Sequence, residues 1–252
     1  MERLSGEAPS IEARVEQVRR RIAEACARAG RSTDEVTLVA VSKTRTAKEI
    51  VSALQAGIRC FAENRPEDAP GKIAAVAALA GERGLPQPCW HMIGHVQSRK
   101  AKLVVGPYEL IHSLDSLHLA QRLDRLAAEQ GTAVHALIEI NMSGEADRSG
   151  FPAPRPDGVP DSGLVADLEQ MVGLASIKLL GLMAMAPMVA SAEDARPCFR
   201  RLRLLQERLC QQLPQAEWQH LSMGMTDDYE IAIEEGASLV RIGRAIFGER
   251  RS

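Results

Sequence analysis

The chain has 252 residues and a formal net charge of −2, from 31 Lys and Arg against 33 Asp and Glu. This near-neutral balance provides no overall field to attract nucleic acid or an anionic membrane, so neither is an expected partner. Hydrophobic residues make up 45% of the chain and charged residues 25%, a composition that allows one large α/β domain or two small ones.

Helical and extended patterns alternate along the chain. An amphipathic helix at 11–29, which ends at Gly30, comes before the first strand. We predict eight strands, at 36–42, 58–61, 89–94, 109–112, 134–140, 177–185, 218–222 and 239–242. The helices predicted between them lie at 47–57, 67–81, 97–105, 113–130, 164–174, 193–213 and 226–235. This alternation favours a closed (β/α)8 TIM barrel with one extra N-terminal helix, whereas a doubly wound sheet would require about half of the strands to be discarded.

Two segments fall outside this pattern. Residues 1–10 are expected to be disordered. The segment between Gly150 and Gly163 holds four prolines, which predicts a mobile loop at 151–163. Because the alternation of strands and helices resumes after it, we expect a loop within a single domain, 1–252, and not a linker between two.

The cysteines and the N-terminal residues indicate a cellular location. The five cysteines are odd in number and scattered, with no C-x-x-C motif, and several lie in apolar runs. This usage favours reduced, buried thiols in a cytoplasmic protein. Glutamates are interspersed with arginines at the N-terminus, and no apolar run reaches the length of a membrane span, so we expect neither a signal peptide nor a transmembrane segment.

A lysine follows the first strand at its carboxyl end, where functional side chains lie in a barrel. Residues 36–42 are almost all apolar or β-branched, which indicates a strand buried on both faces, and Lys43 comes directly after them. A lysine is costly to bury without a role or a partner. At a barrel mouth its partly desolvated amine could attack a carbonyl. The alternative is a lysine that ends the strand and extends into solvent.

Two later strands end in small-residue turns that suit a phosphate group. In residues 221–228 the hydroxyl of Ser222, the adjacent Gly224 and the N–H groups of a new helix are typical of an anion site. Residues 240–245 repeat the arrangement around Gly243, and barrel phosphate sites commonly use the loops after strands seven and eight. The alternative is ordinary turn chemistry, with a capping residue at the helix start.

An amine nucleophile and a phosphate site in one barrel mouth narrow the ligand to phosphorylated carbonyl compounds. Sugar-phosphate aldolases and pyridoxal 5′-phosphate (PLP) proteins both fit this description. Arg241 lies two residues before Gly243 on the last strand, so both face the same way. A planar donor at this position could bond the pyridine nitrogen of PLP, which favours the second class.

Five segments resemble the pyridoxal phosphate homeostasis protein family, the single-domain relatives of the alanine racemase barrel. They are AVSKT at 40–44, WHMIGHVQSRK at 90–100, GLMAM at 181–185, LSMGMTDDYE at 221–230 and VRIGRAIFG at 240–248. The resemblance covers about 36–250 and implies a PLP-dependent barrel of fold type III. The residues that it implies at the cofactor are the Schiff-base Lys43, Asn64 near the ring, Arg241 at the ring nitrogen, and Ser222 with the backbone at Gly243 and Arg244 at the phosphate.

The chain departs from the family pattern at two positions near the expected site. Arg65 follows Asn64 where the family usually has a tyrosine, so an aromatic side chain is replaced. Arg148 stands where a lysine is common, and because an arginine does not readily form an imine, an accessory PLP-relay role is in doubt there. No metal site is expected, because His91 and His95 lie on either side of a strand end.

The resemblance implies a monomer that holds PLP as a Schiff base and contributes to intracellular PLP homeostasis, with PLP enzymes lacking cofactor as candidate recipients. Two alternatives stay open: a racemase-like PLP enzyme and a cofactor-free Schiff-base aldolase. In the related racemases a tyrosine of the partner subunit's additional β-domain supplies a second base. Only ten residues follow the last strand here, and Tyr108 and Tyr229 are the only tyrosines. We therefore expect no dedicated catalytic activity.

Overall fold

Eight parallel strands close into a barrel in the computed structural model, which describes residues 9–145 and 148–249. Nine strands lie in the described residues, eight of them in the ring: β1 (Thr37–Val41), β2 (Cys60–Glu63), β3 (Cys89–Met92), β4 (Leu110–Leu114), β5 (Val134–Asn141), β6 (Phe151–Pro152), β7 (Ile177–Ala184), β8 (His220–Ser222) and β9 (Leu239–Ile242). The ring closes because β1 pairs with both β2 and β9, while β4 pairs with β5. The short β6 lies outside the ring and pairs with β5.

Helices surround the ring and connect its strands, which confirms the predicted (β/α)8 barrel. They are α1 (Ile11–Arg28), α2 (Ala47–Gln55), α3 (Ala69–Glu82), α4 (Leu117–Glu129), α5 (Ser162–Val172), α6 (Arg196–Gln212), α7 (Tyr229–Glu234) and α8 (Arg244–Phe247). Short 3-10 helices lie at Thr33–Glu35, Ser98–Leu103 and Ala192–Ala195. In the part of the chain that the structure describes, no helix has the length and apolar character needed to cross a membrane.

The extra N-terminal helix is present and packs on the helix layer beside the last strand. Its N-cap Ser10 accepts a hydrogen bond from the backbone of Ala13 at 3.2 Å. Its buried stripe, which includes Val15 and Ile22, contacts α7, α8 and α2. Of the predicted disordered segment 1–10, residues 1–8 lie outside the described residues.

Several predicted boundaries differ from the structure, and in three cases a specific side-chain contact or a different helix type accounts for the difference. Ser113 belongs to β4 and not to the following helix, since its hydroxyl donates to the Gly94 carbonyl at 2.6 Å. The helix predicted at 97–105 is a 3-10 helix, Ser98–Leu103. The helix predicted from 226 begins at Tyr229, after a turn that the Asp228 carboxylate ties to the Met225 backbone at 2.6 Å.

The proline-rich segment 151–163 contains more regular structure than predicted. Its first two residues form β6, and α5 begins at Ser162, where Asp161 accepts a hydrogen bond from the Gly163 backbone at 2.8 Å. A turn between them closes where Arg155 donates to the Val159 carbonyl at 2.9 Å. The mobility of the segment stays a prediction.

The barrel interior contains a small apolar cluster and several buried polar residues. Alternate residues on each strand face inward, and six of them form a compact apolar cluster: Val39, Ala62, Leu110, Leu137, Met183 and Leu239. On the same inward faces lie the buried polar residues His91, His112, Glu139, Ser222 and Arg241. Buried polar groups require hydrogen-bond partners, so these five residues mark the part of the interior that does more than apolar packing.

Candidate functional site

The carboxyl ends of the strands surround a mouth made of two adjoining cavities. Their volumes are about 400 and 410 Å³, and both are lined by Val41, Lys43, Met225 and Arg241. Gly243 and Arg244 line the first cavity, and Asn64 lines the second. The structure therefore brings together all of the predicted site residues but Ser222, which lies fully buried at the end of β8.

The Lys43 position depends on a buried network beneath it. The preceding Ser42 is fully buried, and its hydroxyl donates to Glu63 Oε1 at 2.7 Å. Lys72 Nζ donates to the same carboxylate oxygen at 2.9 Å and to the Ser42 carbonyl at 3.2 Å. This network joins the ends of β1 and β2 to α3, and it fixes the backbone from which Lys43 extends into the mouth.

The residue after Lys43 has an unusual backbone. Thr44 has a φ of 65°, the only positive φ at a non-glycine residue in the described chain. A β-branched residue rarely adopts this conformation, and the strain is on the order of 1–3 kcal/mol. Such strain is typical of functional sites, and here it lies next to the predicted nucleophile.

Asn64 reaches the mouth because the neighbouring strand end carries a glycine. Ile93 donates its backbone N–H to the Glu63 carbonyl at 2.9 Å, which brings the two strand ends into contact. A Cβ atom on Gly94 would lie 2.0 Å from the Asn64 carbonyl oxygen, so only glycine fits. The Arg65 side chain is 70% exposed and lies 4.0 Å from Asp68, outside the residues that line the mouth.

Arg241 forms a fixed cationic floor beneath the mouth. Its Nη1 donates to the Ser222 carbonyl at 2.7 Å and to the Ser222 hydroxyl at 2.5 Å, and its Nη2 donates to the Ala184 carbonyl at 2.9 Å. Burial lowers the pKa of Arg241 to about 10, although the nearby Asp228 and Glu139 carboxylates oppose the shift. The guanidinium therefore stays charged at neutral pH, with its orientation set by carbonyl oxygens.

Glu139 is a mouth residue that the sequence analysis missed. It lies on β5 and lines the second cavity, and its Oε2 is buried without a hydrogen-bond partner among the described residues. Burial raises the pKa of Glu139 to about 7, and Asp115 raises it further, while Arg241 and His95 lower it. One signal was available in the sequence: an acidic residue at an inward position of a largely apolar strand.

A hydrogen-bonded chain runs from the floor of the mouth into the barrel. Ser222 Oγ lies 2.8 Å from His112 Nδ1, and His112 Nε2 lies 3.0 Å from His91 Nδ1. Burial lowers the pKa of His112 well below its usual range, and the neighbouring His91, Arg241 and His220 lower it further. A neutral imidazole carries one N–H, so each ring donates on one side and accepts on the other. If His112 donates to Ser222, the serine keeps its own proton for a further acceptor.

The predicted phosphate side is formed by the loops after β8 and β9. The Arg244 side chain is tied outward to both carboxylate oxygens of Asp227, at 2.6 and 2.7 Å. The part of Arg244 predicted to meet a phosphate is therefore its backbone, with that of Gly243. Gly224 has a φ of 92°, and a Cβ there would lie 2.6 Å from Ala232 Cβ, so this glycine allows the turn to pack on α7.

Arg148 lies in the mouth, where the family commonly has a lysine. It lines the same cavity as Lys43, and its Nε donates to Glu145 Oε2 at 2.8 Å. A guanidinium in this ion pair contributes charge but no imine-forming amine. A second covalent attachment point at this position is therefore not expected.

Comparisons with known proteins agree with this architecture. The family described as "Alanine racemase, N-terminal domain" matches residues 14–251. The alanine racemase of Clostridium difficile 630 has a TM-score of 0.64 and 14% identity, over 93% of this chain and 60% of the racemase, which is a similarity of fold alone.

Several more similar proteins cover nearly the whole chain. The pyridoxal phosphate homeostasis protein of Aquifex aeolicus is 38% identical over 238 residues, 94% of this chain and 97% of its own length. That of Escherichia coli K12 is 37% identical over 234 residues, 93% and 94% of the two chains. PipY of Synechococcus elongatus PCC7942, solved with PLP bound, has a TM-score of 0.78 and 33% identity, over 95% of this chain and 100% of PipY. The chain therefore belongs to the pyridoxal phosphate homeostasis proteins, within the family of the alanine racemase N-terminal domain.

Proposed function

We propose that the protein binds PLP in the mouth as a Schiff base on Lys43 and acts as an intracellular carrier or buffer of this reactive aldehyde. The observation that carries the proposal is Arg241, a buried cation fixed by carbonyl oxygens at the floor of a cavity that Lys43 also lines. A PLP-bound structure of a relative, PipY, supports it.

The residues in the mouth fit the chemistry of PLP. Cavities of about 400 Å³ are within the range of small-molecule sites. The Lys43 amine would form the imine with the aldehyde, and Arg241 would donate to the ring nitrogen, with Asn64 beside the ring. A donor at this nitrogen disfavours its protonation, so the bound cofactor would be a weak electron sink. Weak activation of this kind suits a carrier better than a catalyst.

The phosphate would lie against the loops after β8 and β9. We assign it to the backbone at Gly243 and Arg244 and to the Ser222 hydroxyl. Phosphate oxygens accept hydrogen bonds, so Ser222, which already accepts from Arg241, would serve the phosphate as a donor. The polarity in which His112 donates to Ser222 leaves the serine proton for that role.

The first test is the absorbance spectrum of the purified protein before and after borohydride. We expect an imine band that borohydride abolishes, and mass spectrometry should place the reduced adduct on Lys43. Lys43→Ala should lose the band, whereas Lys48→Ala, on the exposed face of α2, should keep it. An adduct on a different lysine would contradict the assignment, and a protein that binds no PLP would favour the cofactor-free aldolase.

A racemase-like enzyme is the second candidate, because two proton-carrying groups line the mouth. Glu139 has a pKa of about 7, and His95 Nδ1 lies 2.7 Å from Asp115 Oδ2. No tyrosine joins them among the described residues: the hydroxyls of Tyr108 and Tyr229 are both buried away from the mouth without a partner.

A further inference from the structure

Two cysteines and a histidine meet at the amino end of the barrel, opposite the mouth. Cys60 begins β2 and Cys89 begins β3, and the two residues are paired in register across these neighbouring strands. His91 lies two residues after Cys89, on the same inward face of β3. The two sulfurs and a ring nitrogen of His91 all lie within 4.8 Å of one another. We call these three residues the thiol–imidazole cluster.

The cluster is reduced and accessible. All five cysteines lie within the described residues, and none is in a disulfide. The expectation that they are buried is wrong for four of them: Cys60, Cys89 and Cys198 are partly exposed, and Cys210 is exposed. Cys60 also borders a cavity of about 390 Å³ between α1 and the amino ends of β1 and β2, which provides a path from solvent.

We propose that this cluster is a site for a soft divalent metal ion, with Zn²⁺ the best match. Its ligands would be the sulfurs of Cys60 and Cys89 and Nε2 of His91. Thiolate and imidazole donors are the set that zinc prefers, and binding would release the two thiol protons to the solvent. Two thiolates and a neutral imidazole balance the charge of the dication, so the loaded site would carry no net charge.

The spacing of the ligand atoms fits a tetrahedral ion. With Zn–S near 2.3 Å and Zn–N near 2.0–2.1 Å, the edge between sulfur and nitrogen is about 3.6 Å. Cys89 Sγ and His91 Nε2 lie 3.8 Å apart, so little movement is needed for this pair. The fourth position would be left for water or for the Glu109 carboxylate, which is close enough to influence both thiols electrostatically.

The second ring nitrogen of His91 is held in the way that metal-bound histidines require. Its Nδ1 lies 3.0 Å from His112 Nε2. An ion on Nε2 leaves the His91 proton on Nδ1, from which it is donated to His112, and an outer partner of this kind orients a ligand. His112 then carries its own proton on Nδ1, facing Ser222 at 2.8 Å. The same arrangement leaves the Ser222 proton free to point away from His112.

Neither the spacing of the histidines nor that of the cysteines predicts this site. Cys60 and Cys89 are 29 positions apart in the sequence, with no motif that connects them. Only the register of β2 and β3 places them side by side. The cluster lies at the opposite end of the barrel from Lys43, so it does not depend on the proposed PLP function.

The test is a titration of the reduced protein with Co²⁺ as a spectroscopic probe, followed by displacement with Zn²⁺. We expect one ion per chain, a thiolate-to-cobalt charge-transfer band, and loss of the band when Zn²⁺ is added. The double variant Cys60→Ser/Cys89→Ser should lose the band. The matched control Cys198→Ser/Cys210→Ser removes two thiols from α6 and should keep it. An unchanged band in the first variant, or no band in the wild type, would overturn the proposal.

A second measurement needs no variant and so does not depend on the folding of one. Thiol alkylation of the wild-type protein, with and without Zn²⁺, can be located by mass spectrometry. We expect Zn²⁺ to protect Cys60 and Cys89 by at least tenfold in rate and to leave Cys210 unchanged. Equal protection of Cys210, or none at Cys60 and Cys89, would contradict the site. Both measurements are made on protein without PLP, so a failure of PLP binding would not affect them.

Discussion

Glu139 makes the stability of the barrel depend on pH. Its folded pKa of about 7 lies above its ordinary value of 4.5, because burial favours the protonated form. The folded state therefore holds a proton that the unfolded chain releases between these two pH values. The stabilisation is fully present below pH 4.5 and is lost as the pH rises to about 7. A shift of this size corresponds to at most about 3 kcal/mol.

We expect Glu139→Gln to reduce this dependence, because an amide has no proton to lose in this range. Urea unfolding of the protein without PLP at pH 5 and pH 8 measures the change. Glu129→Gln, on the exposed surface at the end of α4, is the matched control and should leave the pH dependence as in the wild type. If the free energy of unfolding changes equally between pH 5 and pH 8 in Glu139→Gln and the wild type, another group is responsible for the pH dependence.

Ser222 tests the assignment of the phosphate. We expect Ser222→Ala to weaken PLP binding by about 1.5–3 kcal/mol more than it weakens pyridoxal binding, because pyridoxal has no phosphate to accept from the serine. Equilibrium binding of both ligands gives the comparison. Equal losses for the two ligands would mean that Ser222 acts only through Arg241, whose Nη1 donates to it at 2.5 Å.

At the scale of elements, the junction of β1, β2 and α3 rests on one buried ion pair. Glu63 and Lys72 are joined at 2.9 Å, with side chains only 2% and 15% exposed. Glu63→Gln leaves the Lys72 ammonium without its counter-charge, so we expect the free energy of unfolding to fall by about 3 kcal/mol. Urea denaturation measures this loss.

The same segment offers a matched control for this prediction. Glu67 pairs with Lys100 at 2.6 Å, but both side chains are at least 32% exposed. Solvent screens such a pair, so Glu67→Gln should lower the free energy of unfolding far less than Glu63→Gln does. Similar losses in the two variants would show that burial of the Glu63 pair does not determine its contribution.

Elements with strong local patterns were predicted well, and those decided by packing were not. The apolar runs of β1 and β5 identify them directly, and α1 follows from its amphipathic stripe. The start of α7 depends on a turn closed by Asp228, and the end of β4 depends on the hydrogen bond from Ser113 to the Gly94 carbonyl after β3. Such contacts have no signal in local periodicity.

The candidate site divides in the same way. The placement of Lys43 and Arg241 in the mouth was predicted because they lie at strand ends, which any barrel brings to one mouth. His112 was missed because its hydrogen bonds go to partners on other strands, Ser222 and His91. His112 and Ser222 are 110 positions apart in the sequence and lie in contact only when the ring closes. Local patterns identify the strands that form the mouth, but not the side chains that meet inside it.

At the scale of the whole molecule, the question is whether the protein stores its cofactor or uses it. We expect no enzyme-like exchange of the α-proton of amino acids in heavy water, because Arg241, fixed by two carbonyl oxygens, would donate to the ring nitrogen in the proposed binding mode and so weaken the cofactor as an electron sink. Mass spectrometry of a panel of L- and D-amino acids measures the exchange. Turnover in the range of about 1–10³ per second, lost in Lys43→Ala, would refute the carrier and restore the racemase.

The hydrogen bonds that run from Cys89 through His91 and His112 to Ser222 all have the same donor-to-acceptor orientation. Each imidazole passes on the orientation of its neighbour, so the row has two self-consistent polarities, and reversing one end requires every member to reverse. Binding of an ion at the amino end would thus determine whether His112 donates a hydrogen bond to Ser222 or accepts one from it. Linkage makes the effect mutual: the factor by which an ion changes PLP affinity equals the factor by which PLP changes the affinity for the ion. The centre of a barrel is usually filled by aliphatic side chains. Here its hydrogen bonds would couple ion binding at the amino end to PLP binding at the mouth.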